Sequence, residues 1–87
     1  TLMKEITIDC SGIVDVKEMH HALAEALSFP AWYGNNYDAL HDCLTDIRED
    51  TTLTLLHFDR TDHFNEIFRM VFEDSEAENP HLFVTIA

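Results

Sequence analysis

Four aspartates at four-residue intervals are the part of this sequence with the clearest chemical meaning. They are Asp38, Asp42, Asp46 and Asp50, and no lysine lies between residues 29 and 50. On a helix this spacing stacks the carboxylates in a slowly turning row on one face. Repulsion between such neighbours destabilises a helix by about 0.2–0.5 kcal/mol per pair, so the row does not serve folding. Acidic rows are commonly no more than solvated helix faces, but this one could also bind a cationic partner.

The loop before this acidic helix favours the second interpretation. Residues 30–36 read PAWYGNN, in which Asn35 forms a turn pair with the glycine before it. Either Asn35 or Asn36 can cap the helix. Trp32 and Tyr33 precede that cap, and a short loop cannot easily bury both rings. We expect one ring to pack on the core and the other to stay half exposed beside the carboxylates, as the aromatic anchors of protein interfaces do.

The opposite side of the acidic helix indicates how it is held. Apolar side chains recur there with the spacing of a buried stripe, at Tyr37, Leu40, Leu44 and Ile47. His41 lies at the border between this stripe and the acidic row. The remaining histidines show no spacing typical of metal ligands, and we interpret them as surface or border residues: His20, His21, His57, His63 and His81.

Catalysis and metal binding are poorly supported. Asp38 and Asp42 could in principle act as a general acid and base, because two close carboxylates move each other's pKa values apart. They share one convex helix face, however, with no evident nucleophile or oxyanion donor. Asp38, His41 and Asp42 would offer a metal three ligands from one helical turn, which makes a weak site. We therefore predict no enzyme activity, no cofactor and no dedicated metal site.

The composition indicates a basic partner. The 87 residues predict one domain over 1–87, and 17 acidic against 5 basic residues give a net charge of −12. This charge disfavours binding to nucleic acid or to anionic membranes, which both select basic surfaces. It favours fast, salt-sensitive association with a basic protein. Cys10 and Cys43 form no disulfide framework, and no leader or membrane span is evident, so we expect reduced thiols and a cytoplasmic location.

Hydrophobic periodicity predicts an α/β fold in the order strand, helix, helix, strand, helix, strand. The strands are expected over residues 2–8, 52–58 and 82–86. The first helix is expected to begin at a cap by Asp15 and to end near Ser28. The third is expected to begin at Asp62 and to fray within residues 73–79. Strands separated by helices require crossover connections, right-handed by default, and hence a parallel sheet.

Residues 30–45, PAWYGNNYDALHDCLT, resemble the barstar family of ribonuclease inhibitors in loop, cap, paired aspartates and core leucines. The resemblance implies a three-stranded parallel sheet packed with three to four helices, and a loop and helix that plug the active site of a ribonuclease. Asp42 would be the central plug, in the pocket where the RNA phosphate normally lies. Asp38 would pair with a basic residue beside that pocket. Trp32 would stack at the pocket mouth, and Tyr33 would support the loop.

Departures from the family pattern fall on the rim of this surface. His41 stands where the family's well-known inhibitor has a large aromatic residue, Asn35 replaces an acid, and Asp46 replaces a small residue. An ungapped alignment places a further acidic contact, from the third helix, near Asp74. The predicted partner-binding residues are therefore Trp32, Tyr33, Asn35, Asn36, Asp38, His41, Asp42, Thr45, Asp46 and Asp74.

We predict that the chain inhibits a basic microbial ribonuclease of the extracellular or toxin type, in an immunity or antitoxin role, and is monomeric when free. Two alternatives remain open. A DNA mimic should spread its carboxylates around the molecule at phosphate-like spacing, whereas this chain concentrates them in one helix beside an aromatic loop. An acidic interaction module that keeps the fold but binds another basic protein is left open by His41, Asp46 and Ile47.

Overall fold

The computed structural model describes residues 3–87, which form three strands and three α-helices. In chain order these are β1 (Lys4–Asp9), α1 (Val16–Leu27), α2 (Tyr37–Thr45), β2 (Thr51–Leu56), α3 (His63–Glu78) and β3 (Leu82–Ile86). A short 3-10 helix, Cys10–Gly12, follows β1. This is the order that the hydrophobic periodicity predicts, and the α/β fold class is confirmed.

The three strands form a parallel sheet in the order β1-β2-β3, with β2 at its centre. Ile6 of β1 lies opposite Leu53, and Leu53 lies opposite Val84 of β3. The chain passes through α1 and α2 between the first two strands and through α3 between the last two. Helical crossovers of this kind are what parallel neighbours require.

One hydrophobic core joins the sheet to all three helices. Its fully buried members include Leu23 of α1, Leu40 and Leu44 of α2, Leu53 and Leu55 of β2, and Phe68 and Phe72 of α3. Burial of each such side chain contributes about 1.5–3 kcal/mol to stability. Because Leu40 and Leu44 are completely buried, α2 turns its opposite face to solvent, and Asp38 and Asp42 lie on that face.

Side-chain caps determine where the helices begin. Asp15 accepts a hydrogen bond from the Glu18 backbone N–H at 2.8 Å, and Glu18 in turn accepts from the Val14 N–H at 3.1 Å. These two bonds give α1 the box-like start that the sequence predicts, with the Glu18 side chain bonding one residue before the cap. Asp62 caps α3 by accepting from the Phe64 N–H at 2.8 Å.

The strand ends differ slightly from the prediction. β1 is described from Lys4 onward, and the expected start at residue 2 lies outside the described residues. β2 ends at Leu56, two residues early, because His57 adopts a left-handed backbone with φ 56°. β3 has the predicted limits, from Leu82 to Ile86.

The predicted fraying of α3 is wrong, since the helix continues to Glu78. The acidic stretch that suggested fraying is held by tertiary contacts. Ser75 is completely buried, and Glu76 accepts a hydrogen bond from the Val84 N–H of β3 at 2.7 Å. Helix propensity is a weak determinant beside contacts of this kind.

Cys10 and Cys43 are both free and both buried. Over residues 3–87, no helix has the length and apolar character needed to span a bilayer.

Candidate functional site

The acidic row is shorter than its spacing predicts. α2 ends at Thr45, so only Asp38 and Asp42 lie within it, and Asp46 is its C-cap residue. Asp50 is not part of the row: it lies beyond the helix, half-buried, where its carboxylate accepts a hydrogen bond from His81 Nδ1 at 2.8 Å. The prediction of a four-carboxylate ridge is therefore wrong, and an exposed pair followed by a capping carboxylate replaces it.

The loop before α2 is fixed at both of its asparagines. Asn36 is the N-cap, because its Oδ1 accepts a hydrogen bond from the Ala39 N–H at 2.8 Å. Asn35 is exposed and adopts a left-handed backbone with φ 53°, which asparagine tolerates better than most residues. The turn and cap therefore set the direction in which α2 leaves the loop.

The two aromatic residues of the loop point in different directions, as predicted. Tyr33 packs inward, with its ring centroid 4.9 Å from that of Phe29 and its hydroxyl 2.5 Å from His20 Nδ1. Burial raises the pKa of the Tyr33 phenol. Trp32 is 66% exposed, an unusual state for the largest apolar side chain. One ring thus anchors the loop, and its neighbour is presented to solvent.

His20 is a core residue of α1, which contradicts its interpretation as a surface or border histidine. It is 1% exposed and packs among the rings of Tyr33, Tyr37 and Phe68, at centroid distances of 5.8, 5.4 and 4.9 Å. Burial lowers the pKa of its imidazole. Its position three residues before the buried Leu23 is a helical spacing that indicates this burial.

The end of α3 is bonded to α2 by two adjacent residues that the sequence pattern did not single out, Glu78 and Asn79. Glu78 Oε2 accepts a hydrogen bond from Nε2 of His41, the border residue of α2. Asn79 is 3% exposed, and its Nδ2 donates to the carbonyls of Leu44 at 2.8 Å and of Ile47 at 3.1 Å. These contacts join residues at least 32 positions apart, so local spacing carries no signal for them.

The remaining predicted residues lie around this surface. Thr45 uses its hydroxyl within α2, donating to the His41 carbonyl at 2.8 Å. Asp46 is exposed, and its carboxylate lies 3.2 Å from the Arg48 guanidinium. Asp74 is exposed on α3, one turn before Glu78 and hence on the same side of that helix.

The exposed carboxylates of α2 carry a local excess of negative charge. Within residues 3–87, no basic side chain forms an ion pair with Asp38 or Asp42. The pKa of the buried Cys43 thiol is raised mainly by burial and further by the negative charges of Asp42 and Asp46. A surface of this kind has unused capacity for a cation from another molecule.

Across residues 3–87, no three His, Cys, Asp or Glu side chains come together in an arrangement that could hold an ion.

Comparison with known proteins bears on this surface. A family model described as "Barstar (barnase inhibitor)" matches residues 3–84, which include the loop, α2 and most of the rest of the fold. A curated protein of Bacillus subtilis (strain 168), named "Putative ribonuclease inhibitor YrdF", is 38% identical over 63 residues. That alignment covers 71% of this chain and 69% of the relative.

Proposed function

Because the chain belongs to the Barstar family, whose members are ribonuclease inhibitors and not enzymes, we propose that it inhibits a basic ribonuclease by blocking the active site with α2 and the loop before it. Asp38 and Asp42 carry this proposal. They are exposed, lie one helical turn apart, and have no cationic partner within residues 3–87. We call the surface formed by Trp32, Asp38, His41, Asp42 and Asp46 the acidic face.

The first step of inhibition is electrostatic attraction. A ribonuclease that binds a polyanion presents basic groups at the mouth of its active site, and this chain has a net charge of −12. Complementary charge raises the association rate, and salt screens it over about 8–10 Å. We therefore expect added salt to slow association and to change dissociation much less.

The second step is occupation of the phosphate pocket. Asp42 accepts charge-assisted hydrogen bonds from the Arg, Lys or protonated His groups that otherwise bind the RNA phosphate. Asp38 pairs with a basic residue beside the pocket. The exposed ring of Trp32 covers the pocket mouth and excludes water, which strengthens the bonds that it surrounds.

Rigidity of the acidic face supports tight binding. Asn36 caps the start of α2, Leu40 and Leu44 hold it to the core, and Asn79 donates a hydrogen bond to its Leu44 carbonyl. Tyr33 and His20 anchor the loop. A surface that is ordered before binding loses less conformational entropy when it binds, and its affinity for the partner is therefore higher.

The cellular role follows from this mechanism. A cell that makes a ribonuclease of the extracellular or toxin type needs an inhibitor for any enzyme that folds inside it. We propose that this chain supplies such protection, as an immunity or antitoxin protein that acts in the cytoplasm and is monomeric when free.

Titration of barnase with this protein, with ribonuclease activity as the readout, tests the proposal. The informative variant is Asp42→Asn, which removes one charge without changing the size of the side chain. Its control is Glu25→Gln on α1, which removes the same charge from an exposed residue outside the acidic face. Asp50→Ala is unsuitable as a control, because Asp50 is bonded to His81.

We expect stoichiometric inhibition by the wild-type protein and by Glu25→Gln. Asp42→Asn should weaken inhibition by more than about a hundredfold, since two hydrogen bonds between charged groups contribute about 3 kcal/mol or more. Equal losses from both variants would indicate diffuse charge attraction and refute the plug. No inhibition by the wild-type protein would indicate another basic partner, as expected of an acidic interaction module.

A further inference from the structure

His41 is held by a carboxylate from another helix, and this contact determines which chemical group it can offer to a partner. Its Nε2 is bonded to Glu78 Oε2, across the junction of α2 and α3. The His41 side chain is 36% exposed and that of Glu78 is 59% exposed. The contact therefore lies at the surface, between the acidic face and the end of α3.

We propose that Glu78 is a positioning residue that fixes the neutral tautomer of His41, and that Nδ1, the ring nitrogen of His41 that does not contact Glu78, is a specificity-determining acceptor of the acidic face. This inference rests on the proposed function and adds to it a residue role and a property of the partner. The ribonuclease selected by this chain carries a hydrogen-bond donor opposite His41.

The tautomer follows from the chemistry of the two side chains. An ionised carboxylate can only accept hydrogen bonds, so Nε2 of His41 must carry the hydrogen that it shares with Glu78. In a neutral imidazole the other nitrogen is then an acceptor. Within residues 3–87 no group hydrogen-bonds to Nδ1 of His41, so this lone pair is left for another molecule.

The surrounding charges favour a donor on the partner. Asp38 and Asp42 flank His41 on α2, and Glu78 and Asp74 lie on the side of α3 next to it. An arginine, lysine or backbone N–H from a basic enzyme suits an acceptor in this setting. An apolar rim on the enzyme would leave Nδ1 desolvated without a bond, which disfavours that enzyme.

A large aromatic residue at this position selects differently. Such a ring contributes apolar area and stacking, and it makes no demand for a donor on the enzyme. His41 exchanges part of that area for one directional bond.

The first test uses the free protein. The ¹⁵N chemical shifts of the His41 ring, measured at a pH where they no longer change, report its neutral tautomer. We expect the form with hydrogen on Nε2 in the wild-type protein and a mixture of both forms in Glu78→Gln. Glu25→Gln is the matched control, because Glu25 lies 3.7 Å from Nε2 of His21 on α1 and should leave the His41 signals unchanged. A tautomer mixture in the wild-type protein would overturn the inference.

The second test is inhibition of barnase by His41→Leu, which removes both nitrogens without introducing the aromatic ring of the family's barnase inhibitor, and by Glu78→Gln. We expect His41→Leu to weaken inhibition about tenfold, Glu78→Gln to weaken it less, and Glu25→Gln to have no effect. Inhibition that survives both His41→Leu and Glu78→Gln while Asp42→Asn abolishes it would overturn the role of His41 and leave the proposed function intact. Absence of inhibition by the wild-type protein would overturn both for this enzyme.

Discussion

Asn79→Ala should be one of the most destabilising polar substitutions in this chain, because Asn79 joins α2, α3 and β3 from a buried position. Its Nδ2 donates to the carbonyls of Leu44 at 2.8 Å and Ile47 at 3.1 Å, and its Oδ1 accepts from the His81 N–H at 2.9 Å. Each such bond contributes about 1 kcal/mol net, so the substitution removes about 3 kcal/mol. A domain of this size has a free energy of unfolding of about 5–15 kcal/mol, so the loss is a large fraction of the total.

Urea denaturation measures this loss as a fall in the midpoint with an unchanged slope. Asn65→Ala is the control, because the Asn65 side-chain amide makes one hydrogen bond, to the Asp59 carbonyl at 3.0 Å, and is only half-buried. We expect Asn65→Ala to cost about 1 kcal/mol. If Asn79→Ala cost no more than Asn65→Ala, the bonds between the helix ends would not be what holds α2 in place.

Three further outcomes are expected. Tyr33→Phe should lower the free energy of unfolding by about 1–3 kcal/mol, because it leaves the buried His20 nitrogen without a partner. Tyr37→Phe should be neutral or stabilising, because the buried Tyr37 hydroxyl has no partner within residues 3–87. Equal effects of the two variants in urea denaturation would contradict this contrast. Burial lowers the pKa of His20, so below about pH 6.5 the unfolded chain binds a proton at His20 that the folded chain does not. The free energy of unfolding should therefore fall as the pH drops through this range. If a His20→Phe variant showed the same dependence of stability on pH, His20 would not be its cause. Because Trp32 is largely exposed, Trp32→Ala should change the free energy of unfolding by no more than about 0.5 kcal/mol and still weaken inhibition. A large loss of stability without loss of inhibition would show that Trp32 serves the fold and not the binding of a partner.

The loop and the start of α2 could be predicted from the sequence because the interactions that shape them are local. Asn36 caps a helix that begins at the next residue, and Trp32 and Tyr33 divide into one exposed and one packed ring. The parallel sheet could also be predicted, since strands that alternate with helices leave little choice of topology. The general position of the acidic face follows from these elements.

The end of α2 could not be predicted in the same way. The four-residue spacing of the aspartates continues to Asp50, but the helix ends at Thr45. Its Leu44 carbonyl accepts a hydrogen bond from Asn79, which lies 35 positions later. The contact between His41 and Glu78 likewise depends on how α2 packs against α3. Spacing describes one element at a time, and these interactions exist only between elements.

The burial of His20 is indicated in the sequence by its helical spacing from Leu23, but the polar character of histidine favoured a surface position. Histidine is mostly polar in its preferences, and His20 and His21 are adjacent, which favours a surface interpretation for both. The structure separates them: His20 is buried on the stripe of α1 that includes Leu23, and His21 is exposed. The helical stripe was therefore a better guide than residue type.

Competition with a 3′-nucleoside monophosphate for barnase tests most directly whether Asp42 occupies the phosphate pocket of a ribonuclease, as we propose. Such a nucleotide places its phosphate in the pocket that Asp42 is proposed to fill. Calorimetry would give the apparent Kd of this protein for barnase at increasing nucleotide concentration. We expect the apparent Kd to rise in proportion to the nucleotide concentration once the nucleotide saturates the enzyme. An apparent Kd that stays constant under saturating nucleotide would show that the acidic face binds elsewhere and would contradict the plug.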